Sequence, residues 1–146
     1  MLNSPMPTSR PFETCLSFRV TSYDVDYVGY AHNMVYLRWL EDLRIAMLAP
    51  HYALERFVRE GISPIIVRTT IEYKKPLRLF DTFTGTIWVS DLLGVRWTVQ
   101  HELVRDEHLV AQAEQFGVFI HLASGRPARA PAELMEKYLA IDHDRA

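Results

Sequence analysis

The chain has 146 residues, of which 49% are hydrophobic, with a formal charge of −2 and a pI near 6.3. That length suits one domain with a sizeable core, and a mildly acidic chain whose densest basic run is Lys74-Lys75 excludes a dedicated nucleic-acid binder. A single cysteine, Cys15, excludes an internal disulfide and fits a reducing cytoplasm, and neither a secretory leader nor an apolar run of the roughly 20 residues that a membrane helix needs is visible.

Residues 1–11 hold three prolines and read as a flexible arm. Phe12 to Ser22 alternates Leu16, Phe18 and Val20 against Ser17, Arg19 and Thr21, the period of a strand. A polar loop with Asp24, Asp26 and Gly29 leads to a helical pattern ending at Leu48. Val35, Tyr36, Trp39, Leu40, Leu43, Ala46 and Met47 share one face, and Arg38, Glu41, Asp42 and Arg44 the other. Pro50 stops this helix, and His51 to Glu60 offers a second, closed by Gly61.

From Ile65 the period becomes two. Ile65, Val67, Thr69, Ile71 and Tyr73 oppose Ile66, Arg68, Thr70 and Glu72 until Pro76. Further strands are predicted over Thr82–Asp91, Val95–Arg105 and Leu109–Leu122, with turns at Leu92-Leu93-Gly94 and Asp106-Glu107-His108. The small residues Ala111, Ala113 and Gly117 would let a helix approach the last of them. Pro131 opens a short final helix over Glu133–Leu139, with Tyr138 as its anchor, and residues 140–146 read as a tail. One long helix against an antiparallel sheet is an α+β domain, here spanning residues 12–139. Its sheet edges and open face call for dimerisation.

The polar loop carries the candidate chemistry. Asp26 precedes Gly29 by three residues and Asn33 by seven. Asn33 is a good N-cap, and the first N–H groups of a helix are unpaired and favour negative charge. A carbonyl becoming an oxyanion fits there, with Asp26 as nucleophile or as base for a water. The simpler reading makes Asp24 and Asp26 turn formers and Gly29 a kink.

Residues 23–44, Tyr-Asp-Val-Asp-Tyr-Val-Gly-Tyr-Ala-His-Asn-Met-Val-Tyr-Leu-Arg-Trp-Leu-Glu-Asp-Leu-Arg, resemble the Asp-x-Asp-x-x-Gly-x-x-x-Asn-x-x-Tyr-x-x-x-x-Glu-x-x-Arg signature of hotdog-fold acyl-CoA thioesterases of the 4-hydroxybenzoyl-CoA thioesterase family. Ile71-Glu72-Tyr73-Lys74-Lys75-Pro76-Leu77 with Phe80-Asp81 resembles the second block of that family, and Gly125-Arg126-Pro127 with Pro131 its C-terminal turn. The resemblance runs from about Leu16 to Glu136. It implies a five-stranded antiparallel sheet wrapped around the long helix, in homodimers or homotetramers with the active site between subunits. It further implies Asp26 as the catalytic carboxylate, the Asn33 N–H as the group polarising the thioester carbonyl, Gly29 as the loop pivot, and His32 and Tyr36 as lining. Tyr30 and Val25 depart from the family's usual loop residues, which bears on substrate preference.

The remaining candidates are weaker. Lys74, Lys75, Arg96 and Arg126 suit CoA phosphates or plain solvation. Glu41 and Asp42 read as ion-pair partners of Arg38 and Arg44 rather than as a helix acid that attacks substrate. The six histidines show no metal-ligand spacing, no Gly-x-Ser-x-Gly elbow is present, and Cys15 reads as packing. The expectation is therefore a cytoplasmic acyl-CoA or acyl-carrier-protein thioesterase needing no cofactor and no metal, with no nucleic-acid or membrane partner. A non-catalytic acyl-CoA-binding hotdog module and a hotdog dehydratase are the alternatives.

Overall fold

Alternation of apolar and polar residues through four long segments builds most of the sheet. The computed structural model describes residues 10–144, with side chains through 141. Its strands are β1 (Thr14–Arg19), β2 (Ile62–Tyr73), β3 (Thr82–Leu93), β4 (Arg96–Arg105), β5 (His108–His121) and the two-residue β6 (Pro127–Ala128). The helices are α1 (Val35–Leu48), α2 (Leu54–Glu60) and α3 (Ala132–Asp144). All pairings are antiparallel, in the order β1-β3-β4-β5-β2, with β6 beside β5. The sheet wraps α1, as in a hotdog fold. The five expected strands are present, and β6 is an addition.

α1 buries Val35, Tyr36, Trp39, Leu40, Leu43 and Met47, the stripe its spacing predicts. Each such side chain contributes about 1.5–3 kcal/mol on full burial. Close approach comes from a different glycine than expected. A Cβ on Gly85 of β3 would lie 2.9 Å from Leu43 Cδ1, so Gly85 is where α1 descends onto the sheet. Gly117 is instead covered by the Trp97 indole, 2.2 Å from where its Cβ would be.

Several boundaries differ from the sequence pattern. Phe12 is not in β1 but in a turn, with φ 57°. β2 starts at Ile62 and carries a bulge between Ile66 and Arg68. The bulge shifts the alternation by one, so Ile66 aligns with Gly117 while Thr69 aligns with Gln115. β3 runs on to Leu93 because a second bulge, between Val89 and Asp91, absorbs a residue. Cys15 is exposed, since Leu16 and Phe18 take the inward face. α3 continues through Asp144, past the expected end at Leu139, with neither glycine nor proline to stop it. Tyr138 is buried, as expected of an anchor. Of the expected N-terminal arm, residues 1–9 lie outside the described residues, as do tail residues 145–146. No helix among the described residues is long and apolar enough to cross a membrane.

Candidate active site

The loop before α1 is stitched by its own backbone. The Asp26 N–H donates to Tyr30 O (2.8 Å), Val25 bridges Ala31, and the His32 N–H donates to Asp24 O (2.9 Å). The second sequence block holds it from outside. The N–H groups of Ala31 and Leu79 donate to Leu77 O (2.8 Å) and Gly29 O (3.1 Å), respectively. Asp81 in turn accepts from the Arg78 N–H (2.8 Å) and pairs with Arg105 (3.3 Å). Gly29 turns with φ 84°, a conformation that costs a residue with a Cβ and that glycine adopts freely.

The two acids divide their work. Asp24 is 1% exposed; its Oδ2 accepts the Thr21 N–H (2.8 Å) and hydroxyl (2.9 Å), and its Oδ1 accepts Arg38 (2.6 Å). Burial alone would raise its carboxyl, but the Thr21 bonds and the Arg38 guanidinium outweigh that and hold it below the ordinary carboxylate range. Arg38 thus answers Asp24 rather than Asp42, because the loop brings Asp24 back over the first turn of α1. Glu41 does face Arg44, loosely, at 3.9 Å. Asp26 is exposed, and its Oδ1 accepts the N–H groups of Val28 (3.0 Å) and Tyr30 (3.3 Å).

The start of α1 is open. Asn33 does not cap it: Met34 occupies the N-cap position with no side-chain bond. The tight Val35 N–H to His32 O turn (3.1 Å) already satisfies the first helical donor through backbone. Asn33 is exposed and its carbonyl accepts the Tyr73 hydroxyl (3.1 Å). Among the described residues no group accepts from the N–H of Asn33 or Met34. Tyr36 is buried edge-on against Trp39 and Tyr73 (4.9 Å between the Tyr36 and Tyr73 rings), and burial, with Tyr73 nearby, pushes its phenol up to about 12. It supports the helix start from beneath. Tyr27 and Tyr30 are exposed, with the Tyr30 ring beneath Arg78.

The four candidate CoA cations split into two groups. Lys74 and Lys75 follow β2, where Tyr73 pairs with Ala111. Arg96 pairs with Val118, and the Arg126 carbonyl accepts the His121 N–H, at the other end of β5. Seven residues of strand separate Ala111 from Val118, roughly 24 Å. Lys74 is also tied to Glu72 at 2.9 Å.

An apolar cavity lies at the far end of α1, a feature with no local sequence signal. It encloses about 390 Å³ among Ile45, Met47, Leu48, Leu54, Phe57, Pro64, Ile66, Val89, Leu92, Trp97, Val99, Phe119, Leu134 and Phe12, with Glu41, Arg44, His51 and Ser63 as its polar rim. Its residues come from most elements of the fold, so no spacing marks them. Ile45 and Ile66 on one side are 43% and 40% exposed, whereas Phe57 and Val99 are 1% and 2% exposed. The cavity therefore opens toward β2 and runs inward to buried lining.

Beside it runs a buried polar chain. Arg44 donates to Gln115 Oε1 (2.8 Å), and Gln115 Nε2 donates to Thr69 (3.2 Å). His101 Nε2 also meets Gln115 Oε1 (2.9 Å), which can only accept, so Nε2 carries the ring proton. His101 Nδ1 has no partner among the described residues. Burial pushes the ring down to about 4, against the Gln115 bond and with help from Arg44. Among the described residues no cluster of three or more His, Cys, Asp or Glu is placed to hold a metal ion.

A family model described as the thioesterase-like superfamily matches residues 20–138. The acyl-CoA thioester hydrolase YbgC of Escherichia coli is 23% identical over 122 residues, 82% of this chain and 91% of that one. A hypothetical protein of Staphylococcus aureus, solved in complex with CoA, superposes with a TM-score of 0.85 at 17% identity, over 99% of this chain and 90% of that one. The 1,4-dihydroxy-2-naphthoyl-CoA thioesterase of Synechocystis superposes with a TM-score of 0.80 at 18% identity, over 90% and 98% of the two chains. At these identities the solved structures establish a shared fold.

Proposed function

The chain belongs to the thioesterase-like superfamily, and we propose that it is an acyl-CoA thioesterase of the 4-hydroxybenzoyl-CoA thioesterase type, splitting R–CO–S–CoA into a carboxylic acid and free CoA. The observation that carries this reading is the open start of α1: two unengaged backbone N–H groups, at Asn33 and Met34, beside a loop that presents the exposed Asp26 carboxylate. Donors so placed stabilise the oxyanion formed when the thioester carbonyl is attacked. Asp26 either takes a proton from the attacking water or attacks the carbonyl itself, forming an anhydride that water then opens. Among the described residues its Oδ2 accepts no hydrogen bond and is open to either role, while Oδ1 is held by Val28 and Tyr30.

One chain holds the open helix start and the apolar cavity at opposite ends of α1, about 18 Å apart at ~1.5 Å per residue. A second copy unites them. β2 is an edge strand, and Ile65 and Val67 on it are exposed. Pairing two β2 edges antiparallel about a two-fold axis sets the Tyr73 end of each against the Ser63–Ile66 end of the other. That brings the Asp26–Asn33 loop of one copy to the cavity mouth of the second, and Lys74 and Lys75 toward the end where the second copy carries Arg126. In this homodimer the cavity receives the acyl group, and cations from both copies, Arg96 among them, serve the CoA phosphates.

Asp26→Asn decides the central point. Thiol release, followed with DTNB over a panel of acyl-CoAs, is expected to fall about 10²–10⁴-fold; near-native rates would overturn the reading. Hydrolysis in oxygen-18 water separates the two roles of Asp26, since only a nucleophile acquires label. The Asx turn made by Asp26 also fits a non-catalytic acyl-CoA-binding module, and tight acyl-CoA binding without thiol release would establish that instead.

A further inference from the structure

One residue lining the cavity sits in a backbone conformation that its side chain does not favour. Phe12 has φ 57°, a left-handed conformation that bulky side chains adopt only where their surroundings impose it. Here they do. Arg10 lies over the Trp88 ring at 3.7 Å and pairs with Glu102 at 3.2 Å, on the outer face of the sheet. The Val89 N–H donates to Pro11 O (2.9 Å), the Glu13 N–H to Arg10 O (3.1 Å), and the Thr14 hydroxyl to Phe12 O (3.0 Å). The chain is thus pinned on both sides of position 12, and the side chain turns inward. It is buried there, against His51 with ring centroids 4.5 Å apart, and faces the cavity with Val89.

The cavity's direction makes this placement consequential. Its mouth lies at β2, and Phe12 is held at β3, three strands away across the sheet. At ~4.8 Å between neighbouring strands that is a path of roughly 14 Å. A straight acyl chain entering beside Ile66 and passing beneath α1 runs toward Phe12. We propose that the Arg10–Glu13 turn stoppers the acyl cavity with the Phe12 ring, so that Phe12 sets the longest straight-chain acyl group the site accepts. The inference takes the acyl assignment of the cavity from the proposed function, but not the hydrolytic step.

The experiment measures kcat/KM for butyryl-, octanoyl-, lauroyl- and palmitoyl-CoA on native protein and on Phe12→Ala. In parallel, calorimetry follows binding of the free fatty acids of the same lengths. One methylene in an apolar pocket is worth about tenfold or more in discrimination. Phe12→Ala is therefore expected to move the optimum to longer chains, raising kcat/KM and affinity at least about tenfold for the first length beyond the native optimum. Phe12→Leu, which retains most of the packing, moves it the same way by less and decides the matter if the alanine variant does not fold. A folded variant with the native length profile in both assays overturns the inference. Absence of thiol release from every acyl-CoA on native protein counts against the proposed function instead, and the calorimetric profile then still decides the role of Phe12.

Discussion

At its N-terminal end α1 meets a loop held by backbone hydrogen bonds and two carboxylates, with donors left open to solvent. At its C-terminal end it covers an apolar cavity lined at depth by the buried Phe57 and Val99, beside a chain of bonded polar side chains. The first end offers an exposed carboxylate and open donors but no apolar enclosure, and the second an apolar enclosure. A thioester substrate has both needs: a carbonyl to be polarised and an apolar group to be sheltered. That division is the ground for the proposed pairing of two copies along the exposed β2 edge.

Two acids two residues apart differ most in what their loss should do. Asp26→Asn is expected to cost about 10²–10⁴ in kcat with the thermal midpoint unmoved, because Asp26 is exposed and the proposed mechanism runs through its carboxylate. Asp24→Asn should do the opposite, leaving catalysis largely intact per folded molecule while costing about 2 kcal/mol of stability by urea titration. It weakens three bonds to a buried oxygen pair, and the half-exposed Arg38 limits the loss.

Between these two lies the pH dependence of the cavity end. His101 titrates near 4 when folded against an ordinary 6.5, so the unfolded chain binds the extra proton between those values. Stability from this group is complete above pH 6.5 and is lost as pH falls toward 4, by about 3 kcal/mol in all. Chemical denaturation at successive pH values should show that slope, and His101→Gln should flatten it.

Val67→Lys tests the proposed union of the two ends. A charge on the exposed edge of β2 is expected to halve the mass seen by light scattering and to lower kcat/KM at least tenfold. A mass unchanged by the substitution would sever the link between edge pairing and the composite site. The smallest effect belongs to Tyr73→Phe, which removes the bond to the Asn33 carbonyl at an exposed position; a loss under about 1 kcal/mol is expected, with KM rising more than kcat falls.

Much of the fold was legible because period and packing agree. The α1 stripe, the αL close of α2 at Gly61 (φ 77°) and the hairpin tip at Asp106-Glu107 (φ 49° and 65°) follow from local rules. The β2 bulge was not legible: Ile65, Ile66 and Val67 are all apolar, so either phase satisfies the pattern, and only the register against β5 selects one. The same holds for the glycines. Ala111, Ala113 and Gly117 mark a small-residue face, yet which glycine receives the helix depends on Trp97 covering Gly117 and leaving Gly85 to Leu43.

At the candidate site, the loop, its two acids, its glycine turn and the helix that follows are readable from the residues alone, because they are contiguous and depend on short spacings. Tertiary contacts alone distinguish Asp24, buried where Arg38 and Thr21 converge on one carboxyl, from the exposed Asp26. Tertiary contacts also place the apolar room at the far end of α1, with Phe12 in its lining. A cavity is assembled from residues distant in sequence, each of which, taken alone, looks like ordinary core.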